Sequence, residues 1–271
     1  YSLLAMSAIM EGRPPFLENF SYGLLLAEDG TPMHKSAGNM IEFNEAADRM
    51  GVDVMRWLYS AHKPENNLLF GYTRADEVRR QFLLPLWNVY NFFVSYARLD
   101  GWTPAQEGFD REQLEGVAPA SANPLDRWII ARCNQVAEAV YRSLVDSDAY
   151  SATVVIEAFI DDLTNWYIRR SRRRFWKSEH DQDKQAAYAT LYYVLVRLIR
   201  LLAPFTPFVT EVMYQNLVRS VQPEAHASVH HTLWPQAEMQ AVDETLLAQM
   251  ALAREAASLG LSARNSANIK I

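Results

Sequence analysis

The feature that most constrains this chain is helical apolar periodicity that begins at Pro124 and continues, with brief polar breaks, across residues 124–221. Pro124 stands where a first helical position falls, because the N–H it lacks has no intrahelical partner there anyway. Leu125, Trp128, Ile129, Val136 and Val140 then recur on one helical face. Asp148-Ala149-Tyr150 opens a second helix that runs to about Lys177, and residues 179–183 form a polar turn. A third helix is expected over 184–203. Pro204 and Pro207 break it, and 208–221 reads as a fourth. Long helices joined by short turns bury their stripes against one another, which predicts an antiparallel bundle. A last helix is expected over 244–259, ended by Gly260.

The first hundred residues follow a different pattern. Residues 1–11 read as the tail of a helix closed by Gly12-Arg13-Pro14-Pro15, and 20–26 as a buried strand. A polar loop follows, then a short helix over 42–50 ended by Gly51. Asp53 is placed to cap a helix starting at Val54. Leu68-Leu69-Phe70 reads as extended, and 74–99 as an aromatic-rich helix with a kink or a break at Pro85. Residues 100–123, rich in Gly, Pro, Glu and Ala, are the linker candidate.

Composition limits what such a chain can do. With 49% apolar and 21% charged residues, a packed core is expected. The net charge of −6 means that any contact with a polyanion must come from a local basic patch. The single cysteine, Cys133, allows no internal disulfide, fits a reducing intracellular setting and reads as a small core residue. No stretch approaches the roughly 18 consecutive apolar residues of a membrane span.

Two clusters carry chemistry. The first is the loop Gly30-Thr31-Pro32-Met33-His34-Lys35-Ser36-Ala37-Gly38-Asn39, between a strand and a helix. Small residues let backbone N–H groups approach an anion, and Lys35 supplies charge, so the loop suits phosphates; a solvated surface turn would have the same composition. The second is Asn165-Trp166-Tyr167-Ile168-Arg169-Arg170-Ser171-Arg172-Arg173-Arg174-Phe175-Trp176-Lys177. At about 100° per residue, Trp166, Arg169, Arg170, Arg173, Arg174 and Lys177 share an arc of roughly 140°, with Ile168, Ser171 and Phe175 opposite. Cations gathered on one face of an acidic protein repel one another unless a polyanion binds them, and guanidinium matches phosphate. A solvated basic face is the other reading. Asp161-Asp162 read as salt-bridge partners or helix-terminal charges rather than an acid–base pair, and His230-His231 as a connecting segment rather than metal ligands; no metal site is expected.

In order and spacing these stretches resemble the class I aminoacyl-tRNA synthetases that handle branched aliphatic amino acids. Pro32-Met33-His34-Lys35-Ser36 occupies the place of that family's KMSKS signature, followed by a similar small-Gly-Asn run. Gly51-Val52-Asp53-Val54-Met55-Arg56-Trp57 resembles its Gly-Ala-Asp-Ala-Leu-Arg-Trp. Asn123-Pro124-Leu125-Asp126-Arg127-Trp128-Ile129 resembles the entry to its anticodon-binding domain. Residues 162–176, the stretch Ser228-Val229-His230-His231-Thr232-Leu233-Trp234-Pro235 and the closing residues 262–271 are similar to the isoleucyl branch more than to the valyl one.

The resemblance implies a mainly α fold: the C-terminal remnant of a Rossmann-type catalytic domain (1–50), a stem-contact junction and linker (51–120), an antiparallel helical bundle that binds the anticodon (121–240) and the start of a C-terminal region (241–271). It implies an internal segment of a cytoplasmic, monomeric enzyme that uses ATP with Mg2+, isoleucine and tRNA(Ile). Lys35 would be the catalytic cation, with His34, Lys35 and Ser36 at ATP. Trp166, Arg169, Arg170, Arg173, Arg174 and Lys177 would face tRNA. The family's HIGH motif, amino-acid pocket and editing domain have no counterpart here, so the segment is expected to be inactive alone and to hold no cofactor. Pro32 and His34 replace a lysine and a serine of the signature, which leaves the loop less cationic. A valyl counterpart, a non-catalytic helical RNA-binding module and a plain interaction bundle remain alternatives.

Overall fold

The computed structural model describes residues 1–104, 117–177, 181–267 and 269. Residues 105–116 of the expected linker, 178–180 of the polar turn, and 268, 270 and 271 of the closing segment lie outside the described residues.

The chain opens with α1 (Ser2–Glu11), closed by Gly12 in the left-handed conformation. Strand β1 (Leu25–Ala27) pairs in parallel with β2 (Leu68–Phe70), with Leu26 opposite Leu69. The connection between them carries α2 (Phe43–Met50) and α3 (Val52–Ser60). Glu42 caps α2 by accepting from the N–H groups of Asn44 and Glu45. The parallel pair with a helical crossover is a small α/β layer.

The expected buried strand over 20–26 is not formed. Pairing starts only at Leu25, and Phe20, Tyr22 and Leu24 are exposed. An apolar run becomes a buried strand only where a layer covers it, and among the described residues none covers this one.

Helix α4 (Tyr72–Val78) leads through a wide π-type turn (Arg79–Leu83) into α5 (Leu84–Asp100). The expected irregularity at Pro85 is therefore a widened turn just ahead of it. Pro85 cannot donate to the carbonyl four residues back and its ring crowds that group; opening the turn relieves both. Trp102, inside the expected linker, is buried and stacked on Tyr188, so packing continues past the end of α5.

The bundle follows. Asn123 caps α6 (Pro124–Val145), with Pro124 in its first turn, and Asp148 caps α7 (Ala149–Asp161). A second π-type turn (Asp162–Ile168) carries α7 into α8 (Arg169–Trp176). Asp181 caps α9 (Gln182–Leu202), in which every residue from Ala187 to Leu202 is buried. A helix buried on all sides belongs at the centre, and α9 packs against α5, α6, α8 and α10 (Pro207–Tyr214).

The final helix, α11 (Glu244–Ser266), does not stop at Gly260. Glycine costs a helix interior only about 1 kcal/mol, and the Ala, Leu and Ser around Gly260 carry the helix through it.

Asp53 is the other correction. Gly51, at φ 88°, precedes α3, and Asp53 lies inside the helix, not at its cap. Its buried carboxylate accepts instead from the N–H groups of Phe208 (3.3 Å) and Val209 (2.6 Å), so it caps α10 across the fold. One turn on, Arg56 donates to the carbonyls of Phe205 (3.0 Å) and Pro204 (2.6 Å). Trp57 stacks on Phe82 and donates to Glu157 of α7 (2.9 Å). The Gly51–Trp57 motif thus fastens the first part of the chain to the bundle. Trp57 and Phe82 belong to the large core that runs to Leu247, and a smaller core joins Ala46, Met50, Val54, Met55, Leu58, Phe70 and Ala75.

Candidate nucleotide loop and nucleic-acid face

The loop after β1 is held by one side chain. Asn39 Nδ2 donates to the Pro32 carbonyl (3.0 Å) and to Thr31 Oγ1 (3.3 Å), and its Oδ1 accepts from the His34 N–H (2.9 Å). Asp29 closes the near end by accepting from the N–H and hydroxyl of Thr31. Pro32 sits in an isolated bridge to Leu26, an edge position where a missing N–H costs nothing. Lys35–Ala37 form a single 3-10 turn ended by Gly38 at φ 70°. His34, Lys35 and Ser36 are exposed side by side, and among the described residues Lys35 has no ion-pair partner. The small-Gly-Asn run is the signal in the sequence that leads to Asn39.

The arginine stretch divides into two populations. Ile168, Ser171 and Phe175 are buried, which is the expected core seam. Arg174 departs from the expected exposed arc: it is 8% exposed and points inward. Its Nη1 and Nη2 lie 2.6 and 2.7 Å from the two oxygens of Asp126, and its Nε lies 3.0 Å from Asp183. Asp126 also accepts from Tyr167 (2.8 Å) and Ser121 (2.7 Å), so a fully buried carboxylate has its acceptor capacity filled. Burial alone would make Arg174 easier to deprotonate, but the hydrogen bonds and charge of Asp126 more than offset it and hold the guanidinium charged. Arg174 lies at the edge of the expected arc, one turn from Ser171 and two from Tyr167, both buried, and Asp126 of α6 draws it inward.

Lys177 is half-buried, with its ammonium 2.5 Å from Asp181 and 3.4 Å from Asp183. Trp166 is partly buried; Arg170 lies over its ring (3.2 Å to the centroid), and its Nε1 donates to Met250 Sδ (3.1 Å). Arg254 of α11 sits near the same ring (5.5 Å) and is ion-paired with Asp162, which also accepts from Arg132 (2.9 Å). Asp161 and Asp162 are thus salt-bridge partners, of Arg132 and Arg254 rather than of the α8 arginines. Burial and the charges of Arg169 and Arg254 lower the pKa of Arg170.

Arg169, Arg172 and Arg173 are exposed, and none is ion-paired among the described residues. Of the expected tRNA-facing residues, Arg169 and Arg173 therefore lie open, Trp166 and Arg170 form a shared stack against α11, and Arg174 and Lys177 tie α8 to the start of α9. Spacing alone did not indicate Asp126 or Arg254, whose partners lie 48 and 92 residues away, nor Asp183, which reaches Arg174 only across the turn between α8 and α9.

Among the described residues, no group of three or more His, Cys, Asp or Glu side chains could hold a metal ion, and no helix is long and apolar enough to cross a membrane. His230 and His231 lie in a short 3-10 turn. Cys133 is fully buried, which pushes its thiol up to about 11 and makes it inert.

Known proteins resemble this chain in both parts. Residues 126–271 match the family described as the anticodon-binding domain of tRNA ligase, and residues 1–68 match the tRNA synthetases class I (I, L, M and V). Isoleucine–tRNA ligases from Dehalococcoides mccartyi (strain 195) and Thermus thermophilus are 46% and 40% identical over 100% and 99% of the chain. The chain spans about a quarter of those relatives, 26% and 25% of their lengths. Among solved structures, a ternary LeuRS–tRNA–LeuAMS complex from Agrobacterium radiobacter K84 superposes with a TM-score of 0.67 at 16% identity, covering 89% of this chain and 27% of that one. A Mycobacterium tuberculosis methionyl-tRNA synthetase with methionyl-adenylate gives 0.57 at 18% identity, covering 81% and 42%. At such identities the likeness shows the fold.

Proposed function

Since this chain belongs to the tRNA ligase family defined by that anticodon-binding domain, with a class I synthetase segment ahead of it, we propose that it is the part of an isoleucine–tRNA ligase that binds tRNA(Ile) and contributes the lysine loop of the ATP site. The observation that carries the reading is the open arginine face of α8, set on a bundle of this family in an otherwise acidic chain. The full-length relatives' name supplies the amino acid. The boundaries at 50, 120 and 240 are our proposed division into catalytic remnant, junction, bundle and C-terminal start. The setting is cytoplasmic and the enzyme monomeric.

The whole enzyme joins the carboxylate of isoleucine to the α-phosphate of ATP, releasing pyrophosphate, and then transfers the acyl group to the 3′ end of tRNA. The residues of this chain act on the first step through charge. Lys35 projects from a turn fixed by Asn39, with His34 and Ser36 beside it. Its ammonium meets the negative charge that builds on the departing pyrophosphate, a stabilisation stronger in the transition state than in bound ATP. Small residues around it let phosphate oxygens come close. Mg2+ arrives with the nucleotide. Pro32 places no cation beside Lys35, so one lysine carries the role alone.

Two measurements test the two halves. This chain should retard tRNA(Ile) in a gel-shift assay; failure to bind at low salt refutes the tRNA half. In the full-length enzyme, Lys35→Ala should lower isoleucine-dependent pyrophosphate exchange far more than it weakens ATP binding. Equal exchange rates in variant and parent refute the catalytic half.

A further inference from the structure

The burial pattern of α8 selects a different stripe from the one that carries the full arginine cluster. Arg169, Arg172, Arg173 and Trp176 are spaced i, i+3, i+4 and i+7, so they fall in one line along the helix. All four are exposed, and Ser171, Arg174 and Phe175 between them are buried. The expected aromatic, Trp166, is already engaged by Arg170 and Met250. Trp176 is 55% exposed, and among the described residues its ring stacks on no other ring and lies under no cation.

We propose that Trp176 is the stacking platform for an unpaired RNA base, and that Arg169, Arg172 and Arg173 hold the phosphates leading to it. This rests on the tRNA-binding reading above and adds which side chain meets a base.

A lone exposed tryptophan is ordinary on a protein surface. This one closes a line of three arginines that lack anionic partners among the described residues, so charge complementarity points to a phosphate chain. An indole at the end of such a line presents a flat face that any base can stack on. The arginines bind duplex and loop alike, because both carry phosphates. Trp176 adds affinity only where a base is free to leave its stack. The two roles are therefore separable. A protein partner with an acidic helix would use the arginines but would gain nothing specific from a loop nucleotide.

The experiment compares two synthetic RNAs on this chain: the anticodon stem-loop of tRNA(Ile), and the same stem as a blunt duplex. The parent should prefer the stem-loop. Trp176→Ala should lose roughly tenfold on the stem-loop and almost nothing on the duplex, while Trp176→Phe keeps most of the preference. Abasic substitutions walked through the loop should find one position that costs the parent about as much as the Ala variant loses, and costs that variant nothing. Trp176 is at the surface, and unchanged circular dichroism and melting of the variants establishes that they fold. Equal stem-loop affinity in parent and Trp176→Ala, with Arg173→Glu still weakening both RNAs, overturns the stacking role and leaves tRNA binding standing. Failure of the parent to bind either RNA overturns the function on which this rests. Binding of an acidic peptide in place of both RNAs likewise overturns both.

Discussion

Arg174 and Asp126 face each other as a fork on a fork, with Nη1 2.6 Å from Oδ1 and Nη2 2.7 Å from Oδ2. The pair joins α8 to the first turn of α6, and Asp183 extends it to α9. It fixes the rotation of α8, and with it the direction in which Arg169, Arg172 and Arg173 point. Removing one partner leaves a buried charge uncompensated, so Arg174→Ala or Asp126→Ala should cost about 3–5 kcal/mol in urea unfolding. The double change Asp126→Ala with Arg174→Ala should cost clearly less than the sum of the two single losses. Additive losses would show that the pair does not act as a unit.

Asp183 gives this junction a pH dependence. Its own burial raises the carboxyl pKa, but the hydrogen bond and charge of Arg174 outweigh that and hold it below its usual 3.8. A carboxylate whose folded pKa is lowered contributes stability that is complete above about pH 5 and is lost as pH falls through the folded value. Stability measured by urea titration should therefore fall as pH drops from about 5 towards 3, and the fall should be shallower in Asp183→Asn. Identical acid limbs in the two proteins would remove Asp183 from the account.

Gly260 offers a gain. It sits inside α11, and a methyl group built on it meets nothing within 4 Å. Gly260→Ala should stabilise α11 by about 0.5–1 kcal/mol, seen as slower amide hydrogen exchange along 255–265. Faster exchange would mean that the helix does end there.

Much of the fold was legible because the bundle is built from local signals. Pro124 and Asp148 mark helix starts, and the stripe from Leu125 to Val140 faces the core as its spacing requires, whereas Asp181, read as part of a polar turn, caps α9 two residues before its expected start. What was not legible depends on distant partners. Asp53 reads as a local cap and instead caps α10, more than 150 residues away. The run over 20–26 looks buried by composition, yet burial needs a covering layer that hydrophobicity alone cannot supply. The candidate sites divide in the same way. Lys35 was found from its loop, and Asn39, which shapes the loop, emerged only with the fold. The arginine cluster was evident, but which of its members are open was not. For Arg174 a buried aspartate on another helix decides that, and a helical wheel contains no partner from outside the helix.

The open arginines of α8 are proposed to bind tRNA through its phosphates. The most direct test is the affinity of this chain for tRNA(Ile) over a salt series, with parent and Arg173→Glu side by side. Phosphate contact predicts that log K falls linearly with log salt, with a slope of about −2 to −3 for three contacts, and that Arg173→Glu binds more weakly with a slope shallower by about 1. A flat salt dependence, or equal binding by Arg173→Glu, would contradict it.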